Sequence, residues 1–241
     1  MAIRKAFSLE SSVLCDTCPI LQDSLCLPLP AKQRDSLRRM ARGRIVPQGQ
    51  LIFEEGTEVT SFASILTGVV KLFRASPGGA EQIVTFMYPP ELLGYTFDKV
   101  HIYSAMAATE VELCVYPQAG FRSLLDKSRG LSRRILEATA QELELAREWT
   151  VMLGCKSSYQ RVAGLFAIFA QRARPDGGGT ARQFLLPVSR SDLADYLGLT
   201  IETVSRNITI LRQKSLIELR SAREVVVPDI QSLLAEADML S

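Results

Sequence analysis

After Pro117 the chain changes character. From Phe121 to Cys155 there is no proline, and only Gly130 and Gly154 stand as potential breaks, so the stretch reads as one long helix entered near Leu131. Within it Leu136, Thr139, Leu143, Ala146, Thr150 and Leu153 recur at alternating spacings of three and four, the seam of a coiled coil. A second apolar track, Leu131, Ile135, Ala138, Leu145, Trp149 and Met152, runs one residue over, with Glu142 breaking it. Two adjacent tracks make a face wider than one packing partner needs. This predicts that one track packs on its own chain and the other on a second copy; the alternative is a helix buried inside a monomer.

Before this helix, from Arg44 to Pro117, short apolar runs alternate with glycine and proline: IVPQGQLIFEEG, SFASILTGVVKLFRA, EQIVTFMYPPELLG and EVELCVYP. Such spacing predicts a many-stranded antiparallel sheet or barrel without a helix of length. After it, Ser158 to Arg174 reads as a second helix ended by the loop RPDGGGTAR, and FLLPV as a short strand. Ser189 and Asp192 stand in capping-box spacing before an amphipathic helix that Gly198 stops. Thr200 then caps the helix IETVSRNITILRQKS, and LIELRSAREVVVP alternates like a two-stranded hairpin. With 241 residues, 47% apolar and 22% charged, the chain holds one large domain or two ordinary ones, of α+β class. No apolar stretch reaches about 18 residues, and MAIRKAFSLESS carries no apolar core behind its basic residues, so the expectation is a cytoplasmic protein with no membrane partner.

Two short helices around the Gly198-Leu199-Thr200 turn, with Leu193, Ala194, Leu197, Val204, Ile208 and Leu211 to pack them, have helix-turn-helix spacing, and the hairpin stands where a wing would. In that motif the N-terminal turns of the second helix enter the DNA major groove. Here they carry Glu202, Ser205 and Arg206. Arginine offers two donors to guanine O6 and N7, glutamate accepts from cytosine N4, and serine serves base or backbone. Thr203 and Arg190 complete the candidate DNA-binding set. The whole chain carries only +2, so any phosphate-binding charge must be local; between Thr200 and Arg223, Arg206, Arg212, Lys214, Arg220 and Arg223 stand against Glu202 and Glu218. The competing reading of Glu202 and Arg206 is a solvated ion pair one helical turn apart.

The order of β-rich domain, long helix and winged helix-turn-helix, with DYLGLTIETVSRNI across the turn and reading helix, resembles the cyclic-AMP receptor/FNR superfamily of bacterial transcription regulators over nearly the whole chain. The resemblance implies an N-terminal β-roll of the cyclic-nucleotide-binding type, a dimerisation helix and a homodimer that binds palindromic sites in double-stranded DNA and touches RNA polymerase. It implies no enzymatic activity. The corresponding division is 1–30 a cysteine-rich segment, 31–120 the roll, 121–156 the dimerisation helix and 157–241 the DNA-binding domain. Glu202, Ser205 and Arg206 match the Glu-x-x-Ser-Arg pattern of the FNR branch, whose half-sites are of TTGAT type; Ile201 stands where the cyclic-AMP branch has arginine. The loop Pro77-Gly78-Gly79-Ala80-Glu81 resembles the one by which relatives touch the polymerase.

Cyclic-nucleotide members hold the phosphate with Gly-Glu and Arg-Ser pairs. This chain has Gly94-Tyr95 and Tyr103-Ser104-Ala105 in those places, which leaves no arginine to neutralise a cyclic phosphate. Attention passes to the cysteines. Cys15, Cys18 and Cys26 lie in a proline-marked segment that its own core does not order, and Cys114 lies in ELCVYP. On spacing alone, Cys-x2-Cys suits zinc, a redox dithiol or a cluster. The resemblance favours the FNR-type oxygen sensors with seven residues between the second and third cysteines, and implies a [4Fe–4S] cluster on Cys15, Cys18, Cys26 and Cys114. Cys155 reads as an idle thiol and His101 as a surface residue of the roll. The alternative is the same DNA-binding regulator answering nitric oxide, a haem ligand, thiol oxidation or another effector without a cluster.

These readings combine into one expectation for control. An assembled cluster orders residues 15–30 against the start of the long helix and favours the dimer, while Glu142, Glu144 and Glu148 in or beside the seam repel their copies and keep the cluster-free dimer weak, unless Arg133, Arg134 and Arg147 pair with them.

Overall fold

The computed structural model describes residues 18–27, 29–75, 81–94, 99–172 and 181–239. The chain forms two compact units, one ending at Glu144 and one beginning at Leu145.

Among its described residues the first unit has eight strands: β1 (Arg42–Val46), β2 (Leu51–Phe53), β3 (Ser61–Thr67), β4 (Val70–Ala75), β5 (Glu81–Met87), β6 (Leu92–Leu93), β7 (Ser104–Ala107) and β8 (Val111–Pro117). They pair antiparallel in two four-stranded sheets, ordered β1-β8-β3-β6 and β2-β7-β4-β5. Val46, Ala63, Ile65, Val111 and Leu113 from one sheet share a core with Val70, Met87, Ala105 and Ala107 from the other, so the two sheets close as a roll. The antiparallel architecture expected between Arg44 and Pro117 is what forms, with no helix inside it among the described residues.

Strands β3 and β8 are buried on both faces. Alternation sends Ala63, Ile65, Leu113 and Val115 into the roll, and Phe62, Leu66, Cys114 and Tyr116 to its outside. On that outer face a second core collects Leu37 from α1 (Ala31–Met40), Phe121 and Leu124 from α2 (Gln118–Lys127), and Leu131 and Ile135 from α3 (Arg129–Cys155). Helix α1 has no counterpart in the sequence reading, because its charged run AKQRDSLRRM offers a single fully buried anchor, Leu37, and no apolar period.

The long helix is entered at Arg129, two residues earlier than expected, and residues 121–127 belong to the separate helix α2. The break falls at Ser128, whose backbone is extended. Its hydroxyl accepts from the Leu131 N–H at 3.3 Å and its carbonyl from the Ser132 N–H at 3.0 Å, so Ser128 is the N-cap of α3. Gly130 sits harmlessly in the first turn, and α3 then runs for 27 residues.

In the second unit, α4 (Ser158–Arg172) is buried from Val162 through Ala167, and forms the centre on which the remaining elements pack. They are β9 (Arg182–Leu185), α5 (Arg190–Leu197), α6 (Ile201–Gln213), β10 (Glu218–Leu219), β11 (Glu224–Val227) and α7 (Ile230–Glu236). The short strand and the hairpin expected from the sequence join in one antiparallel sheet, β10-β11-β9. Most of the loop RPDGGGTAR, residues 174–180, lies outside the described residues. Among the described residues no helix is long and apolar enough to cross a membrane.

Two glycines separate the cost of backbone conformation from that of crowding. Gly68, between β3 and β4, has φ +84°, and a methyl group there would collide with the Glu110 carbonyl and stand 2.9 Å from Thr109 Oγ1; Gly49 has φ +80° and open space around it. Both alanine variants carry the left-handed strain. Gly68→Ala should cost at least about 2 kcal/mol more than Gly49→Ala in urea unfolding, since backbone atoms must move. Equal costs would show that the β3–β4 turn relaxes freely.

Candidate nucleic-acid interface and thiol site

The reading head is held by hydrogen bonding at each of its junctions. Ser189 Oγ accepts from the Asp192 N–H at 3.1 Å while the Asp192 carboxylate accepts from the Ser189 N–H at 2.9 Å, a complete capping box at the start of α5. Gly198 ends that helix at φ 62°, ψ 42°. Arg161 of α4 donates to the carbonyl of Leu197, which the helix end would leave unpaired, at 3.3 Å. Thr200 Oγ1 then accepts from the Thr203 N–H at 3.2 Å and starts α6. Leu193, Ala194, Leu197, Val204, Ile208 and Leu211 are all buried between the helices.

Burial of that stripe turns Glu202 and Arg206 outward, both exposed, with Ser205 half-buried beside them. The backbone N–H of Glu202 and the Thr200 hydroxyl hold the Glu202 carboxyl below the usual carboxylate range, so it is an acceptor only. Arg190, half-buried in the first turn of α5, donates to Ser205 Oγ at 3.4 Å, and Thr203 spends its hydroxyl on Thr200. All five candidate DNA-binding residues thus lie at one end of the helix pair.

The local charge is smaller than the sequence suggests. Lys214 closes an ion pair with Glu236 of α7 and stands 4.9 Å from the centre of the Tyr159 ring. The hydrogen bond that Lys214 donates to the Glu236 carboxylate raises the pKa of the lysine and lowers that of the glutamate. Lys214 therefore anchors the C-terminal end of α6, and Arg220 donates to Gln183 Oε1 at 3.1 Å. The Lys214 contact was not visible in the sequence, because α7 carries no periodic signal long enough to be read as a helix, and the Arg220 contact needs the sheet that brings Gln183 beside it.

On the outside of the roll, Cys18, Cys26 and Cys114 pack on one cluster with Leu131 and Ile135 of α3. Cys114 is 6% exposed, and Cys18 and Cys26 are half-buried. The segment before α1 is ordered by Ile20, Leu25 and Leu29, all buried in the same cluster, and by Arg34, which donates to the carbonyls of Leu27 and Leu29 at 3.2 and 3.1 Å. Apolar anchoring was not expected of this stretch. Cys15 lies outside the described residues. Among the described residues no three Cys, His, Asp or Glu side chains converge tightly enough for a single metal ion. A four-iron cluster asks for a wider set, since each thiolate takes a different iron. Three soft thiol donors on one largely dry surface, with no disulfide among the described cysteines, fit such a group.

Two hydroxyls complete this site. Tyr116 follows Cys114 by two residues on β8, and Ser64 is the register partner of Cys114 on β3, so all three share the outer face. Tyr116 is 3% exposed and Ser64 2%. Burial, then charge on Cys114 and Cys26, pushes the Tyr116 hydroxyl well above its ordinary pKa. The period of two could have nominated Tyr116 from the sequence; Ser64 needs the strand register.

The roll also differs from expectation at His101, which is buried rather than on the surface. Its ring stacks on Phe53 at 3.8 Å in the wall of a cavity of about 310 Å³, and burial lowers its pKa. Gly94 makes the room: a methyl there would meet His101 Cε1 at 3.3 Å. Ser104 accepts from the Glu55 N–H at 3.0 Å, and the nearby Arg74 pairs with Glu55 at 2.9 Å above the Tyr103 ring. Tyr95 lies outside the described residues, as do residues 77–80 of the proposed polymerase loop.

On α3, Leu136, Thr139, Leu143, Ala146 and Thr150 are exposed in the single chain, Leu136 by 70%, and Leu153 is half-buried. The second track is divided: Leu131, Ile135 and Met152 are buried, whereas Ala138 and Leu145 are exposed. Cys155 is exposed at the helix end.

Comparison with known proteins agrees with these parts. Residues 160–236 match the Crp-like helix-turn-helix domain and residues 44–128 the cyclic nucleotide-binding domain. A probable transcriptional activator of Rhizobium leguminosarum is 35% identical over 227 residues, 94% of each chain. The transcriptional activator protein FnrL of Cereibacter sphaeroides is 32% identical, covering 92% of this chain and 91% of its own. The solved structure of FixK2 from Bradyrhizobium japonicum superimposes with a TM-score of 0.74 at 26% identity, covering 81% of this chain and 96% of that one. A roll, a long helix and a capped winged reading head in this order, matched end to end by such relatives, place the chain in the Crp/Fnr family of transcriptional activators, non-enzymatic proteins that bind DNA, dimerise and contact RNA polymerase.

Proposed function

We propose that this activator is a cytoplasmic oxygen sensor whose [4Fe–4S] cluster is held by Cys15, Cys18, Cys26 and Cys114, and that it serves anaerobic or microaerobic genes through palindromic TTGAT-type sites. The observation that carries the reading is the gathering of Cys18, Cys26 and Cys114 on the surface that also buries Leu131 and Ile135. When bound, the group supplies a centre that oxygen oxidises. The chain's residues supply the rest. With the group bound, Cys15, Cys18 and Cys26 would be tied through it to Cys114, beside the first turns of α3; once released, the segment would keep the apolar anchors Ile20, Leu25 and Leu29 and the Arg34 hydrogen bonds to Leu27 and Leu29. Residues 1–30, 31–120, 121–156 and 157–241 then act as sensor segment, roll, dimerisation helix and reading domain.

The seam of the dimer is Leu136, Thr139, Leu143, Ala146, Thr150 and Leu153. Its support is exposure: Leu136 and Leu143, left in water one above the other on one helix face, call for a partner, and a second copy offers the same heptad. Glu142, Glu144 and Glu148 are exposed beside it, while Arg133 is engaged by Glu137 at 2.9 Å.

Three outcomes follow. Protein purified without air should carry roughly four iron and four sulfide per chain, with a broad visible absorption that bleaches on exposure; colourless protein after anaerobic reconstitution would reject the cluster and leave the DNA-binding reading intact. Glu142→Ala should tighten the cluster-free dimer in analytical ultracentrifugation by removing a like-charge contact, and an unchanged dissociation constant rejects that repulsion. Arg206→Ala should weaken binding by about 1–3 kcal/mol and relax the preference for guanine at one half-site position. A uniform loss across variant sites in a fluorescence titration would assign Arg206 to phosphate instead.

A further inference from the structure

The thiol site contains a polar pair that the proposed cluster ligands do not account for. Ser64, Cys114 and Tyr116 lie together on the outer face of β3 and β8, each at most 6% exposed. Burying two hydroxyls beneath an otherwise apolar cluster costs free energy unless they serve each other or a third group. Ser64 is the register partner of Cys114 and Tyr116 follows Cys114 by two residues on the same strand, so both hydroxyls share the buried face of that thiol, with Cys26 packed on the same cluster. The ring is fixed as well: its centroid lies 5.5 Å from that of Phe121, which in turn packs edge-on against Phe62 at 5.3 Å. A donor on a locked ring, backed by a second hydroxyl, is the arrangement that orients a thiolate and stabilises charge on it.

We propose that Tyr116, supported by Ser64, is a positioning residue for the buried thiolate of Cys114, and that its hydroxyl sets how firmly and at what potential the iron–sulfur group is held. The inference rests on the cluster reading, and it adds what that reading lacks. Cys15, Cys18 and Cys26 share one segment near the start of the chain, whereas Cys114 is fixed in the sheet, so tuning at Cys114 acts on the joint between segment and roll. A hydrogen bond to a ligand sulfur favours the more negative, reduced state and raises the reduction potential.

The test uses full-length wild type, Tyr116→Phe and Ser64→Ala, each reconstituted without air. Tyr116→Phe keeps the ring and its contact with Phe121, so iron and sulfide content should match wild type. Iron release to a chelator should be roughly tenfold faster, as for other supporting partners of metal ligands, and the midpoint potential by spectroelectrochemical titration should fall. Ser64→Ala should shift both in the same direction by less. Equal release rates and potentials in wild type and Tyr116→Phe, at equal iron content, overturn the positioning role while leaving the cluster in place. Wild type that takes up no iron overturns both readings, and a changed release rate with an unmoved potential reduces Tyr116 to packing and overturns the tuning.

Discussion

The first two turns of α3 do two jobs with adjacent residues. Leu131 and Ile135 are buried in the outer core of the roll, beside Cys18, Cys26 and Cys114, while Leu136, next in sequence, is 70% exposed. The geometry of a helix makes this unavoidable: neighbouring residues are about 100° apart, so a track that packs inward is flanked by one that cannot. Whatever alters the hold of the roll on Leu131 and Ile135 acts on a helix whose other face waits for a second copy. No relay of intermediate residues is needed between thiol site and seam, because the same two turns carry both.

The reading domain is constructed on the opposite plan. Its junctions are closed by hydrogen bonds, Ser189 with Asp192 and Thr200 with Thr203 within one turn and Arg161 of α4 with Leu197, and its outward residues stand on a helix pinned at its far end by Lys214 and Glu236. Such a head is preorganised, so little conformational entropy remains to be lost on DNA. It is suited to be constant, while dimerisation varies.

What the sequence disclosed follows the range of the interaction concerned. The capping box, the Gly198 stop and the stripe from Leu193 to Leu211 depend on neighbours within four residues or on a helical period, and they were legible. The antiparallel roll was legible as a class, from alternation and punctuation, but its register was not; hence Ser64, which meets Cys114 across the β3–β8 ladder, escaped notice. His101 was misplaced for a similar reason, since its burial depends on the space left by Gly94 and on the face of Phe53. Helix α1 and the apolar docking of Ile20, Leu25 and Leu29 were missed because isolated leucines among charges and prolines give no period; only the outer core shows where they belong. The entry of the long helix was legible to within two residues, and a serine before Arg-Gly-Leu is an ordinary N-cap; the separate helix α2 before it was not read.

The small net charge fits this division of labour. With +2 on the chain and Lys214 already paired inside its unit, a single reading head has few phosphate contacts to offer. Non-specific affinity grows with each such contact, so a lone head binds weakly at cellular salt. Two heads joined by a seam face a palindrome at once, and the second engages at an effective concentration far above that of free protein. A strongly basic domain would hold DNA as a monomer and blunt the effect of any switch upstream. Near-neutral charge leaves the decision to the helix that makes the dimer.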